Sequence, residues 1–211
     1  MIKKDDFLVL SRKDELALKS PSNLAFMPYF FVQTNFPYTE VEGREFVRKN
    51  GNLTLSLYSP TGLPYGSLPR LVIAFIVTEA IRKWDPHTLY DESGEFCSYV
   101  ILSESFYNAI NKAPIPVDFN AVLKLKQSPM AVDIYCWATY RMCYCHSRTF
   151  IPWEDLALQF GSNYKEVRVF KFYFKKHLVS VQKIYPDFKC DTSDPKGLVI
   201  FPSKTSIKKT K

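Results

Sequence analysis

Cys143, Cys145 and His146 fall together in 142-MCYCH-146, and a C-x-C-H cluster has the ligand types that hold zinc. On a helix, however, Cys143 and Cys145 point about 200° apart. No second ligand pair stands at metal spacing, so buried, unligated cysteines are the better reading. His87, His146 and His177 are isolated from one another, without the H-x-H pair that a metal-dependent nicking nuclease would need. Glu154 and Asp155 open a helix, where acids favour the N-terminal dipole without doing chemistry. No Ser/His/Asp or Cys/His set assembles, and no glycine-rich loop cradles a phosphate. The expectation is a protein with no catalytic residue, no metal and no cofactor.

The cations are more informative. Residues 1–161 hold 16 Lys and Arg against 17 Asp and Glu, a net of −1, while residues 162–211 hold 12 against 4, a net of +8. A field confined to one end of a chain attracts polyanions. Within that end, 164-YKEVRVFKFYFKKHLVSVQKIY-185 reads as a long helix stopped by Pro186, with Asn163 as its cap and Glu166 completing a capping box. At 100° per residue, Val167, Phe170, Phe174, Leu178 and Val181 share roughly one quarter of the circumference. Lys165, Arg168, Lys175, Lys176 and Lys183 gather nearly opposite, with Lys171 at their margin. Phe172 and Val179 also lie on that basic side, where packing against a neighbouring hairpin or a partner is the expectation. One face is read as core and the other as a surface for phosphates and base edges.

Several elements must position this helix. Ser128 as N-cap and Pro129 at N1 begin a helix through 128-SPMAVDIYCWATYRMCYCHSR-148, apolar on nearly every side and therefore buried. Within it, Trp137 and Arg141 are spaced to stack as a cation–π pair. A short helix follows at 151–161, with Pro152 at its start and Gly161 as a C′ stop. After the basic helix, 187-DFKCDTSDPKGLVIFPS-203 reads as strand, turn over Asp194–Gly197, and strand, with Lys196 placed to meet a phosphate. Buried helix, short helix, tight turn, basic helix and hairpin is the order of a winged helix-turn-helix.

Upstream, 28–38 reads as a strand or extended arm. Residues 44–59 read as a hairpin turning at Asn50-Gly51 in type I′, with Leu53, Leu55 and Leu57 on its buried face. A helix is expected over 69–83, a loop over 84–98, a strand over 98–102 and a helix over 103–112. A proline-stiffened connector at 113–118 marks the domain boundary, before a helix at 118–126. The division is 1–113, 114–203 and a disordered basic tail, 204–211.

At 46% hydrophobic residues the chain is globular. Its longest apolar run, 71-LVIAFIV-77, is too short to cross a bilayer, and 1-MIKKDDFLVLSRKDE-15 lacks a signal peptide's apolar core. Five cysteines without framework spacing suit a reducing, cytoplasmic compartment.

Six ordered blocks carry a family resemblance: 62-GLPYGSLPRLVIAFIVTEAIR-82, 100-VILSESFYNAI-110, 114-PIPVDFNAVLKLKQSPMAVDIYCWATYRM-142, 153-WEDLALQFG-161, 185-YP-186 and 197-GLVIFPS-203. The chain thereby resembles the plasmid-encoded RepA family of replication initiators over about residues 62–203. The resemblance implies an α+β fold of tandem winged-helix-like domains that bind repeated sites at a plasmid origin, help open the duplex and recruit the host replisome. It also implies self-association and contact with a host initiator and helicase. A segment that follows the 69–83 helix in relatives is missing, so the first domain is expected to be incomplete and the second a winged helix-turn-helix.

The function expected is that of a non-enzymatic plasmid replication initiator. Arg168 and Lys175 are placed on base edges, Lys165, Lys171, Lys176 and Lys196 on phosphates, with Asn163 and Lys183 on the same DNA-binding surface. Two alternatives stay open: a DNA-binding repressor or copy-number regulator, and a degenerate initiator acting as a protein-interaction module.

Overall fold

The computed structural model describes residues 24–82, 108, 114–161 and 164–207. Apart from the single residue Asn108, the expected loop, strand and helix over 84–112, and the segment judged missing after the 69–83 helix, lie outside the described residues. The architecture is α+β, with small antiparallel sheets set around helices.

The first described strand, β1 (Leu24–Met27), leads into a 3-10 turn at Tyr29–Val32 that buries Phe31 and Val32. β1 pairs antiparallel with β4 (Ile115–Asp118), matching Leu24 to Asp118 and Met27 to Ile115. The proline-stiffened connector is therefore a strand in this part: Ile115 and Val117 point inward by period-two alternation. Pro116 is tolerated because this sheet has two strands and an outer edge.

β2 (Glu45–Asn50) and β3 (Leu53–Tyr58) form the expected hairpin, with Leu55 and Leu57 partly buried against the core. Its turn differs. Asn50 pairs with Leu53, so the loop residues are Gly51 and Asn52. Gly51 has φ +57°, and among the described residues no non-glycine has positive φ. A type I′ turn needs two such residues, whereas a single leading glycine is the pattern of type II′.

Helix α1 (Leu68–Arg82) packs on β1 and buries Arg70, Ala74, Val77 and Thr78. Helix α2 (Phe119–Leu125) is capped by Asp118, whose carboxylate accepts from the Asn120 amide. Helix α3 (Pro129–Tyr144) begins as expected, the Ser128 hydroxyl accepting from the Ala131 amide. Met130 through Thr139 are all buried, and the Arg141 guanidinium stands 5.7 Å from the Trp137 ring.

The chain then forms β5 (Thr149–Pro152), α4 (Trp153–Phe160), α5 (Val167–Ile184), β6 (Cys190–Asp191) and β7 (Gly197–Ile200). The strand at 149–152 displaces the start of the short helix to Trp153, with Pro152 as the residue before it. The three strands lie in the order β5–β7–β6, both pairings antiparallel.

One hydrophobic core runs from Ala25 through α3 to Ile200. It includes residues on both sides of position 114. An ion pair also crosses there. Arg70 donates to both Asp133 oxygens at 2.7 and 2.8 Å, to the Phe36 carbonyl at 2.9 Å, and to the Gly66 carbonyl, with both ionic side chains fully buried. Burial disfavours both charges and lifts the Asp133 carboxyl above its usual range. For Arg70 the neighbouring carboxylate outweighs burial and raises its pKa. With two hydrogen bonds between them, the ionised pair is the form the geometry supports.

Candidate nucleic-acid interface

Helix α5 is held by the apolar stripe its sequence announces. Phe170, Phe174, Leu178 and Val181 are buried, while Val167, at the first turn, is 38% exposed. Phe174 meets Trp153 edge-on at 5.8 Å and lies 5.6 Å from Phe160, fixing α5 against α4. His177 accepts or donates a hydrogen bond at 2.9 Å with Ser128, the cap of α3. Burial first, and the charge of Lys176 second, hold the His177 imidazole below its ordinary pKa.

The start of α5 is later than its sequence pattern predicts. Glu166 is itself the N-cap and makes no side-chain cap bond, so the helix begins after the position that a cap at Asn163 predicts. Asn163 lies outside the described residues, and the Tyr164 amide instead donates to the Gly161 carbonyl at 3.0 Å. Gly161 is not left-handed as a C′ glycine would be, its φ being −86°. Glycine fits there for another reason: a Cβ would sit 2.5 Å from the Ala157 carbonyl oxygen.

The basic residues divide into two sets. Lys165, Arg168, Lys176 and Lys183 are exposed, and among the described residues none of them forms an ion pair. Lys171 and Lys175 instead turn along the helix toward the β6–β7 loop. Lys171 Nζ donates to the Pro195 carbonyl at 2.9 Å, and Lys175 Nζ to the Thr192 carbonyl at 2.5 Å. Both ammonium groups also stand near the Trp153 ring, at 5.2 and 5.6 Å from its centroid. Burial and the neighbouring Lys171 charge hold Lys175 below its ordinary pKa.

Trp153 completes this clasp. Its indole N–H donates to the Asp194 carbonyl at 3.4 Å, and its amide donates to the Lys196 carbonyl at 3.1 Å. The Asp194 carboxylate accepts from the Lys196 amide, and Asp191 accepts from Ser193, so the loop is folded by its own side chains. The Lys196 side chain is left exposed at the tip. Sequence reasoning named Lys171, Lys175 and Lys196 but missed Trp153, because its partners lie about 20 and 40 residues away and no local spacing marks them.

A second clasp comes from the N-terminal half. Arg48 on β2 donates to the Leu158 carbonyl at 2.6 Å and the Ala157 carbonyl at 3.3 Å. Asn35 donates to the Phe160 carbonyl at 3.4 Å, and Gln159 reaches back to the Val32 carbonyl. The Leu158 and Phe160 carbonyls belong to the last turn of α4, whose carbonyls lack partners within the helix, so side chains from residues 32–50 cap the helix that precedes α5.

Elsewhere, the Cys143 thiol donates to the Thr139 carbonyl and the Cys145 thiol to that of Ser147. The two sulfurs thus serve separate local bonds. No group of metal-ligating side chains gathers among the described residues. The expected disordered tail begins against the body of the protein: Tyr185 donates to the Lys204 carbonyl, and Tyr135 and Ser206 share a hydrogen bond at 2.7 Å. Among the described residues no helix is long and apolar enough to cross a membrane.

Residues 84–151 match the family model of plasmid encoded RepA protein. Over that third of the chain the sequence is similar to the RepA family. It takes in the 100–110 and 114–142 blocks and ends at Ile151, before α4, α5 and the β6–β7 loop. No curated protein and no solved structure matches the chain.

Proposed function

We propose that the chain is a plasmid replication initiator that binds repeated sites in duplex origin DNA, promotes opening of the origin and brings in host replication proteins. The RepA match supports a plasmid replication role, and the second half of the chain supports DNA as the ligand. Its order of α3, β5, α4, α5, β6 and β7, with strands arranged β5–β7–β6, suits a winged helix. In that arrangement the helix after the turn enters the major groove and the hairpin meets the flanking backbone. The observation that carries the reading is on α5: four residues of its core face are buried, while the exposed face presents Arg168, Lys176 and Lys183 without carboxylate partners among the described residues.

The geometry redistributes the roles given to the cations. Arg168 points outward from the first turns of α5 and suits a base-edge contact, where its fork matches guanine. Lys165, Lys176, Lys183 and Lys196 suit phosphates. Lys171 and Lys175 hold the wing to Trp153, so their contribution to binding runs through the wing's position.

Footprinting the full chain on its native plasmid tests this. Protected repeats at the origin are the expected result, weakened about tenfold or more by Arg168→Ala. Uniform cleavage along the origin at low salt would overturn the proposal.

A further inference from the structure

Phe172 and Val179 stand out from α5 where a solvated helix face carries polar groups. They are 65% and 53% exposed, while Lys171 and Lys175 bond to the β6–β7 loop from the adjoining edge of the helix. Val169, three residues before Phe172 and 38% exposed, is an apolar neighbour of Phe172, and cations flank both side chains. Arg168 lies four residues before Phe172, Lys176 four after it, and Lys183 four after Val179, spacings that place side chains one turn apart. The Phe172 ring is braced edge-on by Tyr173 at 5.4 Å, which limits its freedom without covering it.

A hydrophobic protein partner would be met by a broad apolar patch free of charges; here the apolar side chains are few and cations stand among them at Arg168, Lys176 and Lys183. An anionic surface that also offers isolated apolar groups fits this alternation. The major groove is such a surface. Its base edges present donors and acceptors at every pair, and its apolar group is the 5-methyl of thymine. A phenyl ring laid on N7 or O6 of guanine would remove an acceptor from water and return no hydrogen bond.

Resting on the DNA-binding reading above, we propose that Phe172 and Val179 read thymine methyl groups and so set part of the sequence preference of α5. Seven residues separate them, about 10 Å along a helix, the length of roughly three base steps. The recognised site therefore carries thymines about three steps apart on the strand faces that α5 meets.

The test selects tight binders for the purified full chain from random duplex DNA, then remakes the best duplex with deoxyuridine replacing thymine at single positions. Deoxyuridine keeps every hydrogen-bonding group and lacks only the methyl. The expected result is an affinity loss of about fourfold at each of two positions roughly three steps apart. Phe172→Ala should bind the thymine duplex several-fold more weakly and lose the discrimination at one of those positions, keeping it at the other. Because Phe172 is exposed, an unchanged thermal transition is expected and shows that the variant is folded. Equal binding of thymine and deoxyuridine duplexes by the wild type would overturn the inference while leaving DNA binding intact. So would full discrimination retained by Phe172→Ala. Absence of any salt-dependent binding to the duplex pool would overturn this inference and the DNA-binding reading together.

Discussion

Lys171 and Lys175 show how a lysine on a basic face can be a structural group. Both were legible in sequence as cations of α5, Lys175 within the basic stripe and Lys171 at its margin. Their bonds to the carbonyls of Pro195 and Thr192, and their approach to Trp153, depend on a loop that folds next to the helix and could not be read from spacing. Replacing both by methionine should free the 192–196 loop. Limited proteolysis should then cut within that loop several-fold faster than in the wild type, while circular dichroism stays native; an unchanged cleavage rate would contradict the clasp. His177 gives a prediction of opposite origin. Its folded pKa lies below the unfolded value of about 6.5, so the unfolded chain takes up the proton first as pH falls. Stability contributed by neutral His177 is present above about pH 6.5 and is lost as pH drops toward the folded pKa. Urea midpoints should fall between pH 7.5 and 5.5, and His177→Asn should flatten that decline. An equally steep decline in the variant would assign the effect to other groups.

The elements were recovered unevenly, for identifiable reasons. Helix α3 was legible because Ser128 and Pro129 state its start and its apolar run states its burial. Helix α1, the β2–β3 hairpin and the body of α5 followed from periodicity. β5 was not legible: four residues before a proline-led helix carry too short a pattern, and its pairing with β7 is fixed from about 50 residues away. β4 was hidden by its prolines, which mark a turn in isolation and an edge strand once β1 lies beside it. The cap on α4 was equally invisible, since Arg48, Asn35 and Gln159 become neighbours only in the folded chain. Arg48→Ala should take the side-chain donor from the Leu158 carbonyl and the second donor from the Ala157 carbonyl, and cost about 1 kcal/mol in urea unfolding. Gly197→Ala should be at least as damaging, because a Cβ there would lie 2.4 Å from the Ile151 carbonyl oxygen and 2.5 Å from the Phe150 ring. Wild-type stability in either variant would contradict these placements.

Across the whole molecule, two features govern behaviour. The first is the join between the halves: the Arg70–Asp133 pair is buried and the core continues through α3. No local spacing in the sequence marks Asp133 as paired, because its partner lies 63 residues away. Arg70→Met should destabilise the chain by about 3–5 kcal/mol by stranding a buried carboxylate. Replacing both residues, Arg70→Met with Asp133→Leu, should recover much of that loss, and a double variant as unstable as the single one would contradict the argument. The second feature is the charge: nearly balanced over residues 1–161 and +8 over 162–211, it concentrates attraction for a polyanion on the half that holds α5 and the β6–β7 loop. The measurement that bears on this most directly is fluorescence anisotropy of the full chain with labelled origin duplex across a salt series, for the wild type and for Arg168→Ala with Lys176→Ala. The logarithm of affinity should fall linearly with the logarithm of salt, and the double variant should bind more weakly with a slope smaller by about 1, for the phosphate contact of Lys176. Binding with the same affinity and the same slope in both proteins would contradict the assignment of α5 as the DNA-reading helix.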